Sequence, residues 1–280
     1  MKLACRNTGS PVPDPMWLRA RPRPGRPSLP TLLAVLAVLA TLAAAPAVRA
    51  QDPGVTLQAA LGDTLPINAP GLITGLTWVG GDTLAVLTEI PDSLSESGNR
   101  EVRLLLENAQ GMILRSEDFS GVLDRGLAWD GEFFWGCGDS DDGRSLLYKI
   151  EPDTLQVEEA FDTPGHRPSG LCWDGRFVWI TDRDSGRVDR FDPEVKEITR
   201  SVVTPGFSPF GIAWDGTYMW LTDSGTGRLY RLAGGRRRWT GTVDAGVFLF
   251  RDQDVRLLFD GQDLRYLTPG RNLAIQILLF

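Results

Sequence analysis

Carboxylates recur in this chain at intervals of roughly forty residues: Glu89, Asp139, Asp182, Asp223 and Asp260 each close a short apolar or small-residue run. Converging at one end of a closed structure, they would form an acidic ring favouring Ca²⁺, which prefers oxygen ligands, or a cationic ligand. The commoner use of such residues is to cap turns by accepting backbone N–H bonds. That use suits Asp139, Asp182 and Asp223, which stand four residues ahead of Gly143-Arg144, Gly186-Arg187 and Gly227-Arg228; those arginines are expected to pair with neighbouring carboxylates. The stretch Asp139-Ser-Asp-Asp-Gly143 lacks the ligand spacing and distal Glu of an EF-hand loop.

His166 is the single histidine. Beside Arg167, in a mouth that also holds Asp124 and Arg125, it could act as a general base next to an anion clamp, although a histidine in a Pro-Gly turn is more often a solvated loop residue. No His-rich metal site can be built. Of three cysteines, Cys5 lies in the basic leader, which leaves Cys137 and Cys172. They could form a disulfide in an oxidising compartment or remain free as small buried hydrophobes. Neither has a histidine or basic partner nearby in sequence, so no nucleophilic thiol is indicated.

Residues 1–50 read as a signal peptide. Lys2, Arg6, Arg19, Arg21, Arg23 and Arg26 precede an apolar run from Leu32 to Ala45, and Val48-Arg49-Ala50 predicts cleavage after Ala50. The alternative is a membrane anchor over residues 31–50, which Pro46 and Arg49 weaken. The leader carries 7 of the 29 Lys+Arg and 1 of the 36 Asp+Glu, so residues 51–280 hold 22 basic and 35 acidic side chains, a net charge of −13. Nucleic acid and anionic lipid are poor partners for that surface; cations and basic ligands are favoured. The expected protein is a secreted or periplasmic monomer with no membrane span after cleavage.

One phrase repeats and sets the architecture. Gly126-Leu-Ala-Trp129-Asp130-Gly131 returns as Gly170-Leu-Cys-Trp173-Asp174-Gly175 and Gly211-Ile-Ala-Trp214-Asp215-Gly216, with a second tryptophan six residues after the first at Trp135, Trp179 and Trp220. A degraded copy opens at Gly75-Leu-Thr-Trp78. Alternation and Asp-Gly turns divide the third unit into strands at 169–173, 177–181, 187–191 and 197–203. A four-stranded meander cannot bury both its faces alone, and stacking around an axis solves this, with the tryptophans filling the gaps between sheets. The fold class is therefore all-β: a β-propeller over residues 51–280, closed by a strand from Val55–Ile67, with a divergent last unit from about Ala245. Five blades of about 42 residues fit the length better than six of about 38.

The run Ser208-Pro-Phe-Gly-Ile-Ala-Trp-Asp-Gly216, with Met219-Trp-Leu-Thr-Asp223 and Gly227-Arg-Leu-Tyr-Arg-Leu232, resembles the blades of bacterial secreted propellers. These include the NHL-repeat, gluconolactonase-like and virginiamycin-lyase-like groups, and the five-bladed glutaminyl-cyclotransferase type. The gluconolactonase-like resemblance implies a metal-binding Glu ahead of a first strand, but Thr74, Arg125, Ser169 and Phe210 stand there. For the lyase-like group a catalytic histidine is implied, and His166 is the candidate.

These readings converge on a ligand- or protein-binding module at the rim where first strands begin, with Arg167, Phe207 and Phe210 as contact candidates. The alternative is a hydrolase, lyase or cyclotransferase using rim carboxylates, with or without calcium.

Overall fold

The computed structural model describes residues 59–95, 100–140, 142–233, 239–243, 254–268 and 272–279. The leader, its cleavage point, the alternative anchor and the Gly246–Phe250 run read as the start of the last unit all lie outside the described residues. Among the described residues no helix is long and apolar enough to cross a membrane.

The first strand, β1 (Ala59–Pro66), is set apart from the repeats. The first blade follows as β2 (Leu72–Gly80), β3 (Thr83–Ile90), β4 (Glu101–Asn108) and β5 (Ile113–Asp118). The second comprises β6 (Arg125–Trp129), β7 (Phe134–Asp139), β8 (Ser145–Ile150) and β9 (Val157–Asp162). In the third are β10 (Pro168–Trp173), β11 (Val178–Asp182), β12 (Arg187–Asp192) and β13 (Glu197–Val203), within one residue of the limits read from alternation. The fourth holds β14 (Pro209–Trp214), β15 (Tyr218–Asp223), β16 (Arg228–Ala233) and β17 (Trp239–Val243). The last part of the chain supplies β18 (Arg256–Phe259), β19 (Leu264–Leu267) and β20 (Leu273–Leu279). Each blade is a four-stranded antiparallel sheet, and the fifth is completed by β1 pairing with β20, from Ala59↔Leu279 to Pro66↔Leu273. The N-terminal strand thus closes a five-bladed propeller.

Apolar side chains gather in five clusters, one at each junction between neighbouring sheets. Leu87 and Leu104 meet Leu127 and Phe134 between the first and second blades. Trp135 and Leu147 meet Val178 and Phe191 between the second and third. Trp179 and Val188 meet Ile212 and Leu221 at the third junction, and Trp220 and Leu229 meet Leu264 and Tyr266 at the fourth. Closure buries Leu258, Leu267 and Ala274 against Ile73 and Leu84. The second tryptophan of each pair faces the following blade, while Trp129, Trp173 and Trp214 pack toward the preceding one. Period-two alternation along the strands produces this division, and every sheet buries both faces.

The Asp-Gly corner between first and second strands does two jobs. Asp174 Oδ1 accepts the N–H groups of Arg176 and Phe177 at 2.9 and 2.8 Å, and its Oδ2 accepts Trp179 Nε1 at 2.7 Å. Asp130 binds Trp135 Nε1 at 2.7 Å and Asp215 binds Trp220 Nε1 at 2.6 Å in the same way. The corner therefore satisfies the only donor of a large buried ring. The fifth blade keeps the device with a substitution: Asp260 Oδ1 accepts the N–H groups of Gln262 and Asp263, and Oδ2 accepts Arg265 Nε at 2.5 Å. Arg265 stands where the second, third and fourth blades have tryptophan, and its Nη1 reaches Asp63 of the closing strand at 2.8 Å.

That equivalence corrects two expectations. The fifth repeat is Arg256-Leu-Leu-Phe259-Asp260-Gly261, in the register of Gly-Leu-Ala-Trp-Asp-Gly, so β18 is its first strand. Asp260 consequently lies at the end where first strands finish, opposite the ends of the second strands carrying Glu89, Asp139, Asp182 and Asp223. Burial opposes its ionisation, yet Arg265 and the two N–H groups hold its carboxyl below the ordinary value.

Candidate functional site

The innermost strands β2, β6, β10, β14 and β18 line the axis in layers. Nearest the lead-in rim stand Thr74, Arg125, Ser169, Phe210 and Val255. Next come Gly75, Gly126, Gly170, Gly211 and Arg256, then Leu76, Leu127, Leu171, Ile212 and Leu257. The glycines are required because inner strands of successive blades approach closely. A Cβ at Gly75 would stand 2.8 Å from the carbonyl carbon of Gly126, and one at Gly211 would stand 2.8 Å from Leu257 N. The apolar layer narrows the axis, and beyond it the channel opens.

The opening is an aromatic mouth. Trp78, Trp129, Trp173, Trp214 and Phe259, one from each blade, surround a cavity of about 240 Å³ whose floor includes Leu76, Leu171, Ile212 and Leu257. All five aromatics are half-buried. Asp130, Asp174 and Asp215 follow three of the tryptophans directly, and the bonds described above engage them with neutral N–H donors. This mouth can offer aromatic surface with carboxylates close by in sequence to a small ligand.

At the lead-in rim the residues anticipated from sequence are largely engaged with one another. Asp182 is buried; Oδ2 accepts the Arg167 N–H at 2.8 Å and Oδ1 the Ser185 N–H at 2.7 Å. Asp223 repeats this, taking Ser208 N–H at 2.7 Å and Thr226 N–H at 2.8 Å. Each pins the loop leading into its blade to the turn leaving the second strand. Arg125 brings together Asp124, with Nε to Oδ1 at 2.7 Å, and Asp139, with Nη2 to Oδ2 at 2.7 Å; Ser145 Oγ also donates to Asp139 at 2.7 Å. Glu89 pairs with Arg100 at 2.8 Å, and that hydrogen bond lowers its pKa from the ordinary value against a smaller opposing effect of burial.

His166 is exposed, and its carbonyl accepts Ser145 Oγ at 3.1 Å. The Arg167 side chain is also exposed. Phe207 is 72% exposed and stands over Gly225, whereas Phe210 is buried with the guanidinium carbons of Arg183 and Arg256 at 5.8 and 4.9 Å from its ring centroid. Phe207 and Phe210 therefore do not form one patch. Among the described residues no group of three or more His, Cys, Asp and Glu side chains is arranged to hold a metal ion.

Of the two alternatives for the cysteines, the structure has the second: both are free and buried. Cys137 lies in the junction between second and third blades. On the third blade, alternation turns Leu171 toward that junction and Cys172 away from it, into the next one, where its Sγ lies 3.2 Å from Met219 Sδ. Burial raises both thiol pKa values, which leaves them inert as nucleophiles.

Arg256, Phe259 and Arg265 were not singled out from the sequence. The signal was present in Phe259-Asp260-Gly261, which matches the Trp-Asp-Gly corners and fixes the register of the fifth repeat.

No family model and no curated protein matches the sequence. Solved structures do share its fold. A Myxococcus xanthus glutaminyl cyclase superposes with a TM-score of 0.62 over 79% of this chain and 96% of that one, at 12% identity. A nidogen/laminin complex gives a TM-score of 0.50 over 70% of this chain and 72% of that one, at 17% identity. The chain is a five-bladed β-propeller resembling those of the glutaminyl-cyclotransferase type.

Proposed function

We propose that this protein is an exported binding module whose aromatic mouth takes a small organic cation. One observation carries the reading: all five blades place an aromatic side chain around the same 240 Å³ cavity. Each of the five packs against the core of its junction and also lines the shared space. A cation over such rings gains about 0.5–2 kcal/mol per aromatic contact, depending on desolvation, and the corner carboxylates act in the same direction. The net charge of −13 for residues 51–280 favours the approach of cations.

The test is a tryptophan-fluorescence titration with choline as the probe, against sodium chloride at equal ionic strength. A saturable change is expected, with affinity about 10-fold weaker after Trp173→Ala and Trp214→Ala are combined. A signal indistinguishable from sodium chloride, or one equally strong in the double variant, would reject the assignment.

Export rests on the basic and apolar leader. Protein recovered from the periplasm or medium is expected to begin at Gln51; an N-terminus upstream of Thr31 would show that the apolar segment is retained.

A cyclotransferase reading draws on the fold likeness to a glutaminyl cyclase. It needs a carboxylate free to move a proton at the lead-in rim. There Asp182 and Asp223 bind backbone N–H groups, and Glu89, Asp124 and Asp139 pair with arginines. The mouth at the other end fits a binding role better.

A further inference from the structure

The fifth blade breaks the axial glycine layer. Where the other blades carry Gly75, Gly126, Gly170 and Gly211, it carries Arg256, which is 8% exposed and reaches into the channel. Its Nε and Nη1 are fully buried and have no hydrogen-bond acceptor among the described residues. Burial lowers its pKa to about 10, so it remains charged at neutral pH. The nearby carboxylate of Asp254 is already engaged by Arg183 Nη1 at 3.0 Å. Arg183, Arg256 and Asp254 together therefore carry a net positive charge. The Phe210 ring offsets part of it.

A buried cation with two idle donors is costly unless something supplies both lone pairs and countercharge. The channel beside it leaves a cavity of about 10 Å³, walled by Thr74, Gly75, Ser169 and Gly170. That is space for the centre of one small sphere. A carboxylate, sulfate or phosphate needs room for several atoms, and a water molecule would satisfy the donors without the charge.

We propose that this axial cavity holds a single monatomic anion, chloride under ordinary conditions, bound to Nε and Nη1 of Arg256. The site is separate from the aromatic mouth, with the apolar layer between them, and does not depend on what that mouth binds. Its occupant bridges the fifth blade to the first and third, whose Gly75 and Ser169 wall the cavity, and so acts as a structural pin at the axis.

Two measurements on the folded protein test this. In crystals grown with sodium bromide, an anomalous peak is expected on the axis within hydrogen-bonding distance of Arg256 Nε and Nη1. In solution, the melting midpoint should rise by about 3 °C or more between ~1 and ~100 mM sodium chloride, relative to sodium gluconate at equal ionic strength. The rise should vanish in Arg256→Gly, which restores the glycine layer, and in Arg256→Met should the glycine variant fail to fold. The same midpoint in both salts, or bromide crystals without the axial peak, overturns the proposal. A bromide peak without any chloride-dependent midpoint marks an adventitious ion only and also overturns it.

Discussion

Asp223→Ala is expected to lower the unfolding free energy by about 2–4 kcal/mol, because it leaves the part-buried N–H groups of Ser208 and Thr226 without their charged acceptor. Asp223 is fully buried, so water cannot replace the lost bonds without opening the loop. Asp223→Asn is expected to recover little. An amide can place one oxygen toward either N–H, and its NH₂ then confronts the other donor. Asp139→Ala removes a carboxylate at a similar strand end, but that side chain is 46% exposed, and its loss should cost about 1 kcal/mol or less. Urea denaturation of the three variants checks the ranking. Equal losses at positions 223 and 139 would show that Asp223 is a rim group rather than a fastening between loop and turn.

Trp135→Ala should be as damaging by a different route. The indole is 1% exposed in the junction between second and third blades, with Phe191 and Phe161 at ring-centroid distances of 5.7 and 6.1 Å. Removing it leaves a cavity between two sheets that cannot collapse while their neighbours hold them in the ring, and costs about 3–5 kcal/mol. It also strips Asp130 Oδ2 of its indole donor. Trp129→Ala, six residues earlier, removes a half-buried ring at the mouth and should cost markedly less stability while weakening ligand binding. Thermal melts and choline titrations on the same two variants separate the roles. A stability loss at Trp129 matching that at Trp135 would make the mouth aromatics part of the core.

Much of this structure is local and can be read along the chain. The third unit shows why: alternation placed its strands to within a residue, and Asp-Gly corners terminated them, because both signals act over a few neighbouring residues. The paired tryptophans implied packed sheets, since a blade with two apolar faces needs neighbours on both sides. Closure by the N-terminal strand followed from an unpaired strand left over ahead of the first repeat.

Other properties depend on residues about forty positions apart meeting around an axis. Cys137 and Cys172 remain apart because Leu171, one residue earlier, takes the face toward Cys137. Asp182 and Asp223 face inward onto backbone donors instead of forming an acidic ring, and Asp260 lies at the other end. The mouth acquires volume only when five first strands converge, and on the facing strands Arg256 meets a layer of glycines, which carry no side-chain acceptor. Composition and spacing set the blades, whereas ring closure, which brings distant repeats face to face, determined where the cavity opens and which charge is buried in it.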